Sequence, residues 1–233
     1  MSLRREVSPG KLVETVGGRF SAKLGIDLQS RDSSELFKWF LAAMLFGARI
    51  SETLAARTYG EFAKRRLLEP KSITRCGWNG LVEVLDAGGY ARYDFKTASK
   101  LLEVSKSLTD RYAGDLNRLH EAALDAHDLE DRLKKLGKGV GDTTVGIFLR
   151  ELRGIWEKAD PVPSELVIDA ATCLRLIPRS LKNRRAILNL LKKKWRIESN
   201  RSKDFADFEA GLVRYGLALR RSRRSSNKLD FGN

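Results

Sequence analysis

Three residues in the middle of the chain, Gly139-Val140-Gly141, have the types and spacing of a phosphate grip. They lie between two amphipathic stretches that read as helices, residues 129–136 and 142–153. A turn this tight needs backbone conformations open to glycine. It also leaves the first N–H groups of the following helix unpaired and aimed outward. Those donors, with the positive end of the helix dipole, make an anion site. Val140 is the apolar residue that would anchor such a hairpin in the core, and Lys138 stands beside the turn, ready to add a phosphate contact. The plainer alternative is a glycine-rich loop between packed helices.

Charge narrows the kind of anion. The 233 residues carry 44 Lys and Arg against 30 Asp and Glu, a formal charge of +14. Such a surplus calls for a polyanion or an anionic membrane surface. Residues 175–201 are the most basic: Arg175, Arg179, Lys182, Arg184, Arg185, Lys192, Lys193, Lys194, Arg196 and Arg201 face a single acid, Glu198. They leave no bulky apolar face for lipid, which argues against a membrane. No window approaches the roughly 18 to 20 apolar residues of a spanning helix, and no signal peptide is visible, so a soluble, cytoplasmic protein is expected. Cys76 and Cys173 read as ordinary buried thiols, too few for a four-thiolate cluster. His120 and His127, seven apart, read as structural or surface residues, with no acidic partner motif beside them.

Helices must position these groups. Asp32 with Glu35 three residues later reads as a capping box opening a buried helix over Leu36–Phe46. Ser51 caps a second helix to about Leu67, which Pro70 closes. Shorter helices follow over Trp78–Leu85, Phe95–Leu108, Leu116–Leu124 and Leu129–Leu136. After the hairpin helix, the segment from Trp156 to Pro163 is a loop. Ser164 caps the next helix, and two more lie near Leu181–Trp195 and Phe205–Leu219. Residues 1–31 are weakly patterned, and Arg220–Asn233 reads as a loose polar tail. Trp39 and Trp78 are expected in the core. No strand pattern competes, so the fold class is all-α.

The run from Leu133 to Leu149 resembles the hairpin of the helix–hairpin–helix Gly/Pro–Asp DNA glycosylases, the endonuclease III superfamily. Phe37–Tyr59 resembles that family's first core helices, and Gly89-Tyr90 with Lys96 and Ala98 its Gly-Tyr…Lys-Ala segment. The resemblance covers about residues 33–170. It implies two helical lobes, one of residues 33–153 containing the hairpin, the other of residues 1–32 with 154–233. The cleft between them would take the flipped nucleotide.

The resemblance also implies site residues. Its catalytic Asp falls at Asp160, with Asp169 as competitor inside the next helix. Breaking an N-glycosidic bond builds positive charge on the sugar, which a carboxylate stabilises or meets with activated water. The base must leave the stack first. Arg49, in the Gly47-Ala48-Arg49 turn, is the candidate wedge that fills the gap, and Trp156 the candidate pocket aromatic. Lys138, Gly139, Val140, Gly141 and Thr143 would hold the DNA backbone. Thr143 stands where strand-cutting members carry a Schiff-base lysine, which implies a monofunctional glycosylase. Gly137 replaces the family's apolar residue, a change expected to loosen the hairpin. No metal and no iron–sulfur cluster are expected, although a monovalent cation at the hairpin is compatible. The expected partner is double-stranded DNA carrying a lesion or mismatch, bound by a monomer, nucleoid-associated if the source is prokaryotic. A lyase using another lysine and a non-catalytic DNA-binding protein are the alternatives.

Overall fold

The computed structural model describes residues 7–48, 50–198 and 203–229. In chain order the α-helices are α1 (Pro9–Val16), α2 (Phe20–Lys23), α3 (Ser33–Phe46), α4 (Glu52–Lys64), α5 (Pro70–Ala87), α6 (Asp94–Tyr112), α7 (Leu116–Ala122), α8 (Ala126–Lys134), α9 (Asp142–Glu151), α10 (Glu165–Cys173), α11 (Arg184–Glu198) and α12 (Phe205–Leu229). A short 3-10 turn spans Leu28–Ser30. The protein is all-α, with no strand among the described residues.

The chain divides into two compact units, residues 24–161 and residues up to Lys23 with those from Val162 onward. These boundaries fall outside the 33 and 153 drawn from sequence, for a local reason. Ile26 and Leu28 are buried, and the Asp27 amide donates to Glu35 on α3 at 2.9 Å. At the other end Trp156 and Ala159 are buried and Arg153 bonds to Asp160 and the Pro161 carbonyl. Asp160 therefore belongs to the unit that carries the hairpin.

In the unit of residues 24–161, α3 is apolar nearly all round, and Leu36, Phe37 and every residue from Trp39 to Leu45 are buried. It packs on α4, α7 and α9. The Trp39 indole N–H donates to the Phe148 carbonyl at 3.1 Å, and Phe40 meets Phe148 edge-on, fixing α3 against α9. The expected capping box at Asp32 does not form: no side chain caps α3, and Glu35 instead holds the Asp27 amide and Lys38. Ser51 does cap α4, accepting from the Leu54 amide. Pro70 opens α5 rather than only closing α4. Its fixed φ suits the first helical position, where no N–H is needed.

In the other unit, Ser8 and Pro9 open α1, a helix absent from the sequence reading. α12 packs on α1 and α10, burying Leu12, Val167, Ala170, Phe208 and Leu212, while Trp195 of α11 stacks on Phe208 at 5.4 Å. Arg214 holds the 16–18 turn by donating to the Val16 and Gly17 carbonyls. The expected loose tail from Arg220 is helical through Leu229, because nothing in Arg-Arg-Ser-Arg-Arg-Ser-Ser-Asn-Lys breaks a helix already under way. No helix of the described residues is long and apolar enough to cross a membrane.

Candidate nucleic-acid interface

The hairpin forms where α8 turns into α9. Gly139 has φ +89°, the left-handed conformation that favours glycine. Val140 is buried and its amide donates to the Gly137 carbonyl at 3.1 Å, closing the turn. Gly141 is the N-cap of α9, and no side chain caps that end. Lys138, Gly139, Gly141 and Thr143 are all exposed. The amides at the start of α9 thus sit at an open glycine corner with positive helix character.

Two expectations change here. Gly141 has φ −111° and ψ −176°, extended backbone open to any residue, and a β-carbon on it would meet nothing within 4 Å. The turn therefore requires one glycine, Gly139, not the pair. Gly137 does not loosen the hairpin. A β-carbon there would come within 2.9 Å of a Val104 methyl, so the bare backbone lets the turn lie directly on α6. The Lys138 amide then donates to Glu103 of α6 at 2.9 Å.

The Gly47 turn meets the same corner. A β-carbon on Gly47 would stand 2.6 Å from Oγ1 of Thr144 in the first turn of α9. Lys100 of α6 lies between the two turns. Its Cδ is 3.6 Å from the β-carbon position of Gly139, and its ammonium donates to the Met44 carbonyl near the end of α3 at 3.5 Å. Burial holds the Lys100 ammonium below the ordinary lysine range. Arg49, the candidate wedge, lies outside the described residues.

Asp160 is anchored beyond the far end of α9. It pairs with Arg153, whose side chain is 6% exposed against 33% for Asp160. Arg153 lies just past the C-terminal end of α9, whereas the hairpin leads into its N-terminal end, so a helix of about 15 Å separates the two anchoring points. Arg150 and the fully buried Glu151 pair at 3.9 Å beside Arg153 in the chain. Asp169 lies on α10 in the other unit, 3.7 Å from Arg220.

Trp156 is not a pocket wall. It is 2% exposed, stacked on His120 at 4.6 Å and edge-on to Phe148 at 5.6 Å, and its N–H donates to Asn117. A side chain enclosed and satisfied in this way is core. Burial, then the Lys158 charge, lowers the His120 pKa and keeps that ring neutral near pH 7. Trp78 departs from expectation in the other direction. It is 39% exposed, beside Phe95 at 58%.

Acids temper the hairpin's field. Asp142 at the first position of α9 pairs with Lys134 at 2.7 Å, and hydrogen bonding to Lys134 lowers the Asp142 pKa. In the other unit α11 buries Ile187, Leu188, Leu191 and Trp195 and leaves Arg184, Arg185, Lys193 and Arg196 exposed, an amphipathic basic helix. Among the described residues no group of three or more His, Cys, Asp or Glu gathers as metal ligands do, and Cys76 and Cys173 lie in different units.

Sequence reasoning passed over Lys100, Glu103 and the Arg150–Glu151 pair. Lys100 was legible only as one lysine among many, since burial of a charge depends on what packs over it.

No family model, curated protein or solved structure matches the chain.

Proposed function

We propose that the chain is a DNA-repair glycosylase that holds the duplex backbone at the 139–141 hairpin, takes a damaged or mispaired base out of the stack and hydrolyses its N-glycosidic bond. One observation carries this reading: an exposed glycine corner presents the uncapped start of α9, in the same unit as a partly exposed carboxyl group at Asp160 that pairs with Arg153. Amides and helix dipole bind a phosphate without regard to sequence. The +14 charge draws in the polyanion and makes binding steeply dependent on salt. Asp160, fixed by Arg153, would stabilise charge on the sugar or activate water. Thr143 provides no amine, so the product is an abasic site rather than a cut strand.

The test uses duplexes carrying uracil, hypoxanthine, alkylated purines, oxidised guanine or a G·T pair, followed by heating in alkali. Strand breaks with one lesion, lost in Asp160→Asn, support the reading. DNA binding with intact strands on every lesion removes it. Borohydride trapping tests the lyase alternative.

A second reading is favoured by the Arg153–Asp160 pair itself. A carboxylate held by a buried guanidinium is a common structural device, and a non-catalytic DNA-binding protein would keep it for stability alone. That protein binds DNA through the hairpin and excises nothing.

A further inference from the structure

The unit of residues 24–161 carries an exposed aromatic pair apart from the hairpin and Asp160. Trp78 on α5 and Phe95 on α6 lie with ring centroids 5.2 Å apart, and they are 39% and 58% exposed. The other tryptophans, Trp39, Trp156 and Trp195, are exposed by only 0%, 2% and 5%, so Trp78 is the exception. It is also held in place. Its indole N–H donates to Ser99 at 3.0 Å, and Ser99 in turn donates to the Phe95 carbonyl. Gly77, at φ +70° and ψ 174°, breaks α5 immediately before Trp78. A residue with a β-carbon is strained at that φ, so the kink that presents the indole depends on glycine. Two large rings fixed at a surface, with their burial forgone, mark a binding surface.

We propose that Trp78 and Phe95 form a stacking platform for an unpaired nucleobase of bound DNA. The proposal rests on DNA being the partner at the hairpin. Two observations choose a base over another occupant. First, Lys71, Arg75, Arg92 and Lys96 are exposed on and around the same two helices and take part in none of the described ion pairs, whereas the acids Asp86 and Asp94 crowd each other: desolvation and then the Asp94 charge raise the Asp86 pKa. A basic surround with aromatic faces is the arrangement that holds single strands. Second, the platform and the hairpin share one helix, α6. Phe95 lies eight residues before Glu103, which receives the Lys138 amide, a rise of about 12 Å along α6. The phosphate repeat of a strand is shorter than that, so a few consecutive nucleotides of one strand span the distance from the hairpin to the rings. The occupant is then a base outside the paired stack, from a bubble, a gap or the neighbourhood of a flipped nucleotide.

Trp78 is the indole a base can quench by stacking, because Trp39, Trp156 and Trp195 are enclosed. The full chain is titrated, following tryptophan emission, with a short oligo-dT strand, a fully paired duplex, and the same duplex carrying a central bubble. Quenching by oligo-dT and by the bubble, removed in Trp78→Phe, supports the platform. Phe95→Ala, at an exposed position that leaves the fold intact, is expected to weaken bubble binding roughly tenfold or more while leaving duplex affinity unchanged. If Trp78→Ala and Phe95→Ala bind the bubble as well as the native chain does, the platform is overturned and hairpin binding stands. If both variants abolish a dimer seen by sedimentation, the patch serves a second copy and the proposal is likewise overturned. Failure to bind any of the three DNAs removes the DNA reading itself, and the platform falls with it.

Discussion

Gly47 and Thr144 touch so closely that a β-carbon on the glycine would stand 2.6 Å from the threonine Oγ1. The contact joins the end of α3 to the first turn of α9, and so ties the Gly47 turn to the hairpin. Gly47 has φ −68°, an ordinary helical value, so the requirement is space and not backbone freedom. Gly47→Ala is expected to destabilise the fold by roughly 1–3 kcal/mol as an overpacked contact. It should also push the start of α9 outward and weaken DNA binding. Denaturant unfolding and a binding titration on the same variant measure both effects. Unchanged stability would mean that Thr144 moves aside freely.

Gly139 and Gly141 should separate cleanly. Gly139→Ala places a side chain at φ +89° and is expected to reduce stability by about 1–2 kcal/mol. Gly141→Ala meets open space at φ −111° and should leave stability within about 0.5 kcal/mol. If a phosphate docks on the α9 amides, the new methyl of Gly141→Ala stands in its way, and duplex affinity drops with the fold intact. Native affinity in that variant would leave the glycine corner without a phosphate.

How far this corner could be read from sequence depends on the residue. The Gly139 turn, buried Val140 and amphipathic α9 follow from glycine chemistry and apolar spacing, which are local. The dispensable Gly141 backbone, the Gly137 contact with α6 and half-buried Lys100 depend on which helix lies across the turn, and no local pattern encodes that. Trp78 and Trp156 exchanged their expected places for the same reason. Trp156 follows a helix and looks like loop, yet His120 and Phe148 enclose it; Trp78 sits in an amphipathic stretch, yet the Gly77 kink turns it out. In the other direction, α1 carried a readable Ser8-Pro9 start that the weak apolar pattern around it obscured.

Lys100 gives a pH signature. Burial lowers its pKa in the folded chain below the unfolded value of about 10.4. Between the two values the unfolded chain binds the extra proton, so stability from this group rises with pH through that window. Below that window the full penalty of the desolvated ammonium is present. Lys100→Met keeps the aliphatic stem, removes the charge and should be neutral or stabilising near pH 7. Its advantage over the native chain should shrink as pH rises toward 10.5. Urea unfolding of both proteins across that range reads the difference directly. A constant gap would show that the ammonium is solvated in the folded state.

Asp160 and Arg153 set the terms on which catalysis can be tested. Replacing the carboxylate removes the Asp160 charge from a guanidinium that is 6% exposed. Such a loss is expected to destabilise the fold by roughly 1–3 kcal/mol, less than for a fully enclosed pair because Asp160 is one-third exposed. Asp160→Asn therefore lowers stability whether or not the residue is catalytic, and loss of activity alone does not distinguish the two. The double variant Arg153→Met with Asp160→Asn removes both charges and should recover part of the stability. Excision measured on Arg153→Met alone completes the separation. Arg153→Met removes the guanidinium that anchors Asp160, so a catalytic Asp160 that depends on this anchor loses part of its excision rate or shifts its pH profile. If Arg153→Met is folded, excises at the native rate and shows the native pH profile while Asp160→Asn is inactive, Asp160 acts without help from its guanidinium, and the pair serves the fold alone.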